Sequence, residues 1–117
     1  VSSRNWRSRV QDILVAIETI QQRIQSLDSQ AFEDHPILVE SVIYQLIVIG
    51  EAAANIPQEI KQQAPELPWR QMIDMRNVMA HAYFRVERDI VWETACNNLT
   101  PLVQPLRDLL QNPFIEQ

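Results

Sequence analysis

Two histidines, His35 and His81, are all the chain offers for proton transfer by an imidazole near neutral pH. His35 stands directly before Pro36, with Glu33 and Asp34 beside it, the pattern of a loop leading into a helix rather than of a site. His81 keeps different company. Arg76, Asn77, His81 and Tyr83 form a denser polar set than the apolar residues around them require. An imidazole has an ordinary pKa of about 6.5 and can accept or donate a proton at pH 7, while a guanidinium stays charged and matches phosphate oxygens bidentately. Together they suit RNA cleavage. His81 would deprotonate a ribose 2′-OH or protonate the departing 5′-oxygen, and Arg76 would stabilise charge on the phosphoryl oxygens.

The spacing adds conditions. Asn77 and His81 are one turn apart on a helix, so the amide can hydrogen-bond and orient the ring. Arg76 and His81 are offset by about 140° on an ideal helix and do not share a face unless the helix ends near His81 or the Arg curls around. One His and one Arg also leave either the general acid or the general base unfilled. A two-fold dimer bringing two copies of this segment together would supply two of each. The same residues also fit a structural role, capping carbonyls and pairing with Asp74 or Glu87. No His-Glu-x-x-His pattern exists, and the single Cys96 permits neither a cysteine zinc site nor an internal disulfide. No metal and no cofactor are expected.

Helices must position these groups. With one glycine, Gly50, against seven prolines, the chain lacks Gly-rich phosphate loops and the Asn-Gly turns of tight hairpins. Apolar residues from Trp6 through Val10, Ile13, Ile17, Ile20 and Ile24 to Leu27 recur at three-and-four spacing and predict a first long helix. Arg4, Arg7, Arg9 and Arg23 fall on its other faces. Ser29 or Asp34 is expected to start short turns in the segment 28–35. A second helix runs from Pro36 to about Ile56, with an apolar surface wide enough for contact on two sides. Gly50 within it implies a close approach by another backbone, and Glu51 reads as an exposed helix acid or a partnered carboxylate near a site. A short turn at 58–63 follows. A third long helix starts at Pro68 and carries Trp69, Met72 and the Arg76 segment; a fourth starts near Glu87 or Arg88, to be bent or split by Pro101 and Pro105.

The 117 residues, 46% apolar and 21% charged, are expected to form one all-α domain over 1–117, an up-down bundle of four to five helices. No apolar run approaches a bilayer span and no leader pattern opens the chain, so no membrane association and a cytoplasmic location are expected. The net charge of −5, with nine Arg and one Lys among the basic residues, argues against general nucleic-acid binding and leaves room only for a focal contact.

The stretch Arg76-Asn77-Val78-Met79-Ala80-His81-Ala82-Tyr83 resembles the R-x-x-x-x-H-x-Y motif of the HepT-like toxins, within the HEPN superfamily of helical ribonuclease domains. Ile49-Gly50-Glu51-Ala52-Ala53, Pro68-Trp69 and Val91-Trp92 with Leu99 are similar to the family's run in order and spacing, so the likeness spans nearly the whole chain. It departs at Ala82, where many members have glycine.

The resemblance implies a HEPN-type bundle that forms a homodimer, alone or within a higher assembly, with the two motifs lining a shared cleft. It implies a metal-independent endoribonuclease acting on RNA, the toxin of a type II toxin–antitoxin pair. By position Arg76 and His81 would be the catalytic pair, with Asn77 supporting them. Tyr83 would receive AMP from a partner nucleotidyltransferase antitoxin of the MNT type. A bulky anionic adenylate there would fill substrate space and repel phosphates. Two other readings stay open: a non-catalytic substrate-binding or regulatory subunit of a nucleotidyltransferase, and a purely structural dimeric bundle.

Overall fold

Pro36, Pro68 and Pro101 punctuate the chain much as expected. Pro36 opens a long helix, where its missing N–H would have no partner anyway. Pro68 sits one residue before the next long helix, and Pro101 lies in the first turn of the last one, which splits the expected fourth helix in two. The computed structural model describes residues 5–113 and Ile115; Arg4, assigned to an outer face of the first helix, lies outside them. Among the described residues there are seven helices and no strand: α1 Trp6–Ile24, α2 Ser29–Glu33, α3 Pro36–Ala54, α4 Gln58–Lys61, α5 Trp69–Arg85, α6 Arg88–Asn97 and α7 Thr100–Leu110. The count exceeds the expected four to five because α2 and α4 are single turns within connectors and Pro101 divides the final helix. The short α2 begins at Ser29, as expected, and is capped by Asp28, whose carboxylate accepts from the Ala31 N–H at 2.8 Å. His35 is the corresponding cap of α3, its Nδ1 accepting from the Leu38 N–H at 3.1 Å.

Helix α3 is the centre of the bundle. Its apolar surface packs on one side against α1 and on another against α5, burying Val39, Val42, Ile43, Leu46, Ile49, Ala52 and Ala53. Each large aliphatic side chain buried this way contributes roughly 1.5–3 kcal/mol. This two-sided burial corrects one expectation from the sequence. By length and hydropathy α3 is apolar enough to cross a membrane, with 44% of that window buried inside the fold. The same apolar character is what a helix flanked by two others needs.

Arginines tie distant segments of the bundle together. Arg7 on α1 donates to the carbonyl of Leu110 at the end of α7 and to that of Ile115 at 3.1 Å, satisfying acceptors that a helix terminus leaves open. Arg88 at the start of α6 donates to the Glu33 carbonyl at 2.6 Å, and Phe32 and Trp92 meet with ring centroids 5.1 Å apart. These contacts fix α2 and α6 against each other.

Helix α5, which carries the candidate site, ends in an unusual way. Val86 has φ 55° and ψ 46°, left-handed backbone, while the Glu87 N–H bonds the Ala82 carbonyl at 2.9 Å and the Val86 N–H bonds that of Tyr83 at 3.3 Å. This hydrogen-bond pattern normally places glycine where Val86 stands. A β-branched residue there costs about 1–2 kcal/mol. Val86→Gly is therefore expected to stabilise the protein by about 1 kcal/mol, because the backbone strain relieved exceeds the flexibility gained by the unfolded chain. A lower urea midpoint for that variant would show that Val86 is not strained.

Candidate functional site

Helix α5 continues through His81 and Tyr83 to Arg85, so a helix end near His81, one of the two conditions under which Arg76 and His81 could share a face, is not met. Arg76 leans toward α3, whereas Asn77 and His81 face outward and are exposed. Within one chain the two candidate catalytic groups thus have different surroundings, Arg76 at Glu51 and His81 in solvent. Asn77 and His81 lie one turn apart, and no hydrogen bond joins them in this structure.

What holds Arg76 is α3. Its Nη1 donates to Glu51 Oε1 at 3.2 Å, and this is the one ion pair among the described residues. The partner is neither Asp74 nor Glu87. Glu51 is 60% exposed and Arg76 35%, so the pair contributes little to stability, under about 1 kcal/mol. Its effect is on direction. The second oxygen of Glu51 accepts from Asn55 Nδ2 at 3.2 Å, and that amide also bonds the Glu51 carbonyl at 2.8 Å, so the carboxylate is anchored on its own helix. Glu51 is thus both exposed and partnered.

Gly50 makes the approach possible. A Cβ built on it would lie 2.5 Å from Arg76 Cγ, 2.9 Å from the Arg76 backbone N and 3.1 Å from the Ile73 carbonyl oxygen. The two helices therefore touch backbone to backbone where the arginine leaves α5. They run antiparallel: Gly50 meets Ile73 and Arg76, while Val39, Glu40 and Ile43 share a pocket with Ala82, Tyr83 and Phe84. That pocket, about 300 Å³, opens beside Tyr83, which is 51% exposed and edge-on to Phe84 with centroids 5.7 Å apart. Ala82 is buried at its base, and Tyr83 stands in the last turn of α5.

Several large apolar side chains remain on the outer surface. Ile37, Tyr44 and Glu51 recur at seven-residue intervals along one stripe of α3, and the first two are exposed, as are Phe84 and Val86 at the end of α5. Sequence reasoning noted the width of the α3 surface but not that part of it stays uncovered. That Glu51 has a partner was legible only as one of two options, and that the partner is Arg76 was not, since a contact between residues 25 apart leaves no local signal. Among the described residues, no group of three His, Cys, Asp or Glu side chains converges to hold a metal ion.

Comparison with known proteins places these features in a lineage. The sequence profile of the ribonuclease HepT-like family matches residues 13–109. A protein of Thermococcus cleftensis named "Probable ribonuclease HepT" is 35% identical over 99 residues, 85% of this chain and 90% of that protein. Two further relatives carry names that propose an RNase. One, from Caldanaerobacter subterraneus subsp. tengcongensis, is 30% identical over 105 residues, 90% of this chain and 94% of its own. The other, from Methanocaldococcus jannaschii, is 34% identical over 92 residues, 79% of each chain. No solved structure matches the chain.

Proposed function

The chain belongs to the ribonuclease HepT-like family, and we propose that it is a metal-independent endoribonuclease, the toxin of a type II toxin–antitoxin pair, working in the cytoplasm. The observation that carries this reading is the Arg76-to-Tyr83 segment of α5, with His81 and Tyr83 exposed, in a chain whose family match covers it entirely. His81 is exposed and reachable by a polynucleotide. Arg76 is held at the boundary of α3 and α5 with its charge near the surface.

In the proposed reaction a His81 imidazole takes the proton from a ribose 2′-OH as that oxygen attacks phosphorus. The P–O5′ bond breaks, a second imidazole protonates the leaving 5′-oxygen, and Arg76 stabilises the extra negative charge on the phosphoryl oxygens. The products are a 2′,3′-cyclic phosphate and a 5′-hydroxyl. Because Arg76 and His81 diverge on one helix, the site is completed by a second copy of the chain, which supplies the other imidazole and guanidinium. The exposed Ile37, Tyr44, Phe84 and Val86 form the kind of apolar surface that a second copy covers. Asn77 supports the ring of His81 once the cleft has closed around substrate. Tyr83, half-exposed at the rim of its pocket, is the acceptor for AMP from a nucleotidyltransferase antitoxin.

The test is cleavage of RNA by the purified, unmodified protein in excess EDTA, with analysis of the ends. Cyclic phosphate ends are the expected outcome. Absence of cleavage on every RNA, together with tight binding to a nucleotidyltransferase, would replace this reading with that of a non-catalytic subunit. Sedimentation is expected to give the mass of a dimer. Phe84→Asp is expected to give a folded, inactive monomer, since Phe84 is 82% exposed and contributes little to the fold of its own chain.

A further inference from the structure

Outside the Arg76 region, one cleft combines an aromatic face with unpaired positive charge. It lies between the α4 turn and the start of α5, has a volume of about 550 Å³, and is walled by Trp69 and edged by Lys61 and Arg70. Lys61 is the only lysine of the chain, and its ammonium lies 6.0 Å from the centre of the Trp69 ring. Partial burial lowers its pKa, and no carboxylate compensates it. Arg70 is exposed and forms no ion pair either, although Asp74 stands one turn further along and also lines the cleft. In a chain with net charge −5, two cations thus line one cleft with an indole. The indole is held in place, since Trp69 Nε1 donates to the Ala64 carbonyl at 3.0 Å.

The cleft is in line with the proposed site. Arg70, Asp74, Asn77, His81 and Phe84 follow one another at three-and-four spacing, and all are exposed, so they form a single stripe of α5. Arg70 precedes His81 by eleven residues, about 16 Å of helix. A strand with its scissile phosphate at His81 would reach the cleft within a few nucleotides.

We propose that the Trp69 cleft is a subsite for single-stranded RNA flanking the scissile bond, with one base against the indole and neighbouring phosphates on Lys61 and Arg70. The proposal rests on the ribonuclease reading above. A rigid aromatic face with flanking cations is the usual means of holding unpaired nucleotides, and the Gln58 and Gln62 amides at the rim can bond base edges. A duplex has no free base face to offer. Asp74 narrows the choice further, because it disfavours a free, highly charged phosphate compound and leaves a stacked base as the main source of affinity.

The experiment uses the full chain carrying His81→Ala, so that short single-stranded oligoribonucleotides bind without being cut. Binding is expected to quench Trp69 fluorescence, since Trp6 is buried and Trp92 packs on Phe32. Trp69→Phe in that background should abolish the quench. Lys61→Ala and Arg70→Ala, both surface changes, should each weaken binding about fivefold and lower the slope of log Kd against log salt by about 0.7. In the chain with His81 intact, the corresponding loss should appear in KM rather than kcat. Unchanged affinity and salt slope in the Lys61→Ala/Arg70→Ala double variant, while the parent still binds RNA, would overturn the subsite alone. Equal affinity for duplex RNA would overturn it too. No RNA bound by the His81→Ala chain and none cleaved by the parent would remove the ribonuclease reading, and the subsite with it.

Discussion

Replacing His81 with alanine is expected to lower RNA cleavage by about a hundredfold to ten-thousandfold, the usual contribution of a positioned acid or base. The unfolding midpoint should hardly move, because the side chain is exposed and makes no hydrogen bond among the described residues. This separation of activity from stability is what distinguishes a catalytic imidazole from a packing residue. Arg76→Lys is a useful companion. Lysine keeps the charge but not the planar fork, so it should restore little of the activity lost in Arg76→Ala. If His81→Ala cleaves RNA at the parental rate with the same ends, His81 has no part in the chemistry and the motif on α5 is structural.

Gly50→Ala is expected to damage both stability and activity, although alanine is the better helix former by about 1 kcal/mol. The new methyl group would meet the Arg76 backbone N at 2.9 Å and the Ile73 carbonyl oxygen at 3.1 Å, and neither atom can swing aside. Helices α3 and α5 must move apart, with an overpacking cost of about 1–3 kcal/mol. The net effect of alanine is a loss of about 1 kcal/mol, and of valine about 3 kcal/mol, read as a fall in the urea midpoint. The same displacement carries Arg76 with it. A shift of the order of 1 Å at a reacting group can cost a hundredfold in rate, so cleavage should fall further than stability does. A Gly50→Ala protein as stable and as active as the parent would mean that the two helices have room to spare.

Much of this architecture could be read directly, because prolines and periodic apolar residues act locally. Pro36 and Pro68 locate the starts of α3 and α5, and Gly50 announces a close approach. The identity of the approaching group was not legible, since Ile73 and Arg76 come from a different helix. Single turns such as α2 and α4 have too few residues to show a period. Val86 gives no hint of its left-handed backbone, because a valine there runs against preference and is imposed by the turn from α5 into α6. The hydropathy of α3 as a whole was underestimated, because Glu40, Ser41, Gln45 and Glu51 interrupt every apolar run along it. For the site, the motif located the side chains but not their divergence. That required knowing that α5 continues past Tyr83.

The arginine clamp between α1 and the last carbonyls has a consequence for the order of events in synthesis. Arg7 and Leu110 are 103 residues apart, so α1 leaves the ribosome long before the helix to which it is clamped. Until α5 emerges, α3 carries an uncovered apolar flank, and until α7 emerges, α1 remains open at its beginning. Such late closure slows folding, because distant segments must meet before their contacts stabilise anything. During that interval the apolar faces of α1 and α3 stand open to other chains, so aggregation competes with folding until α7 has emerged.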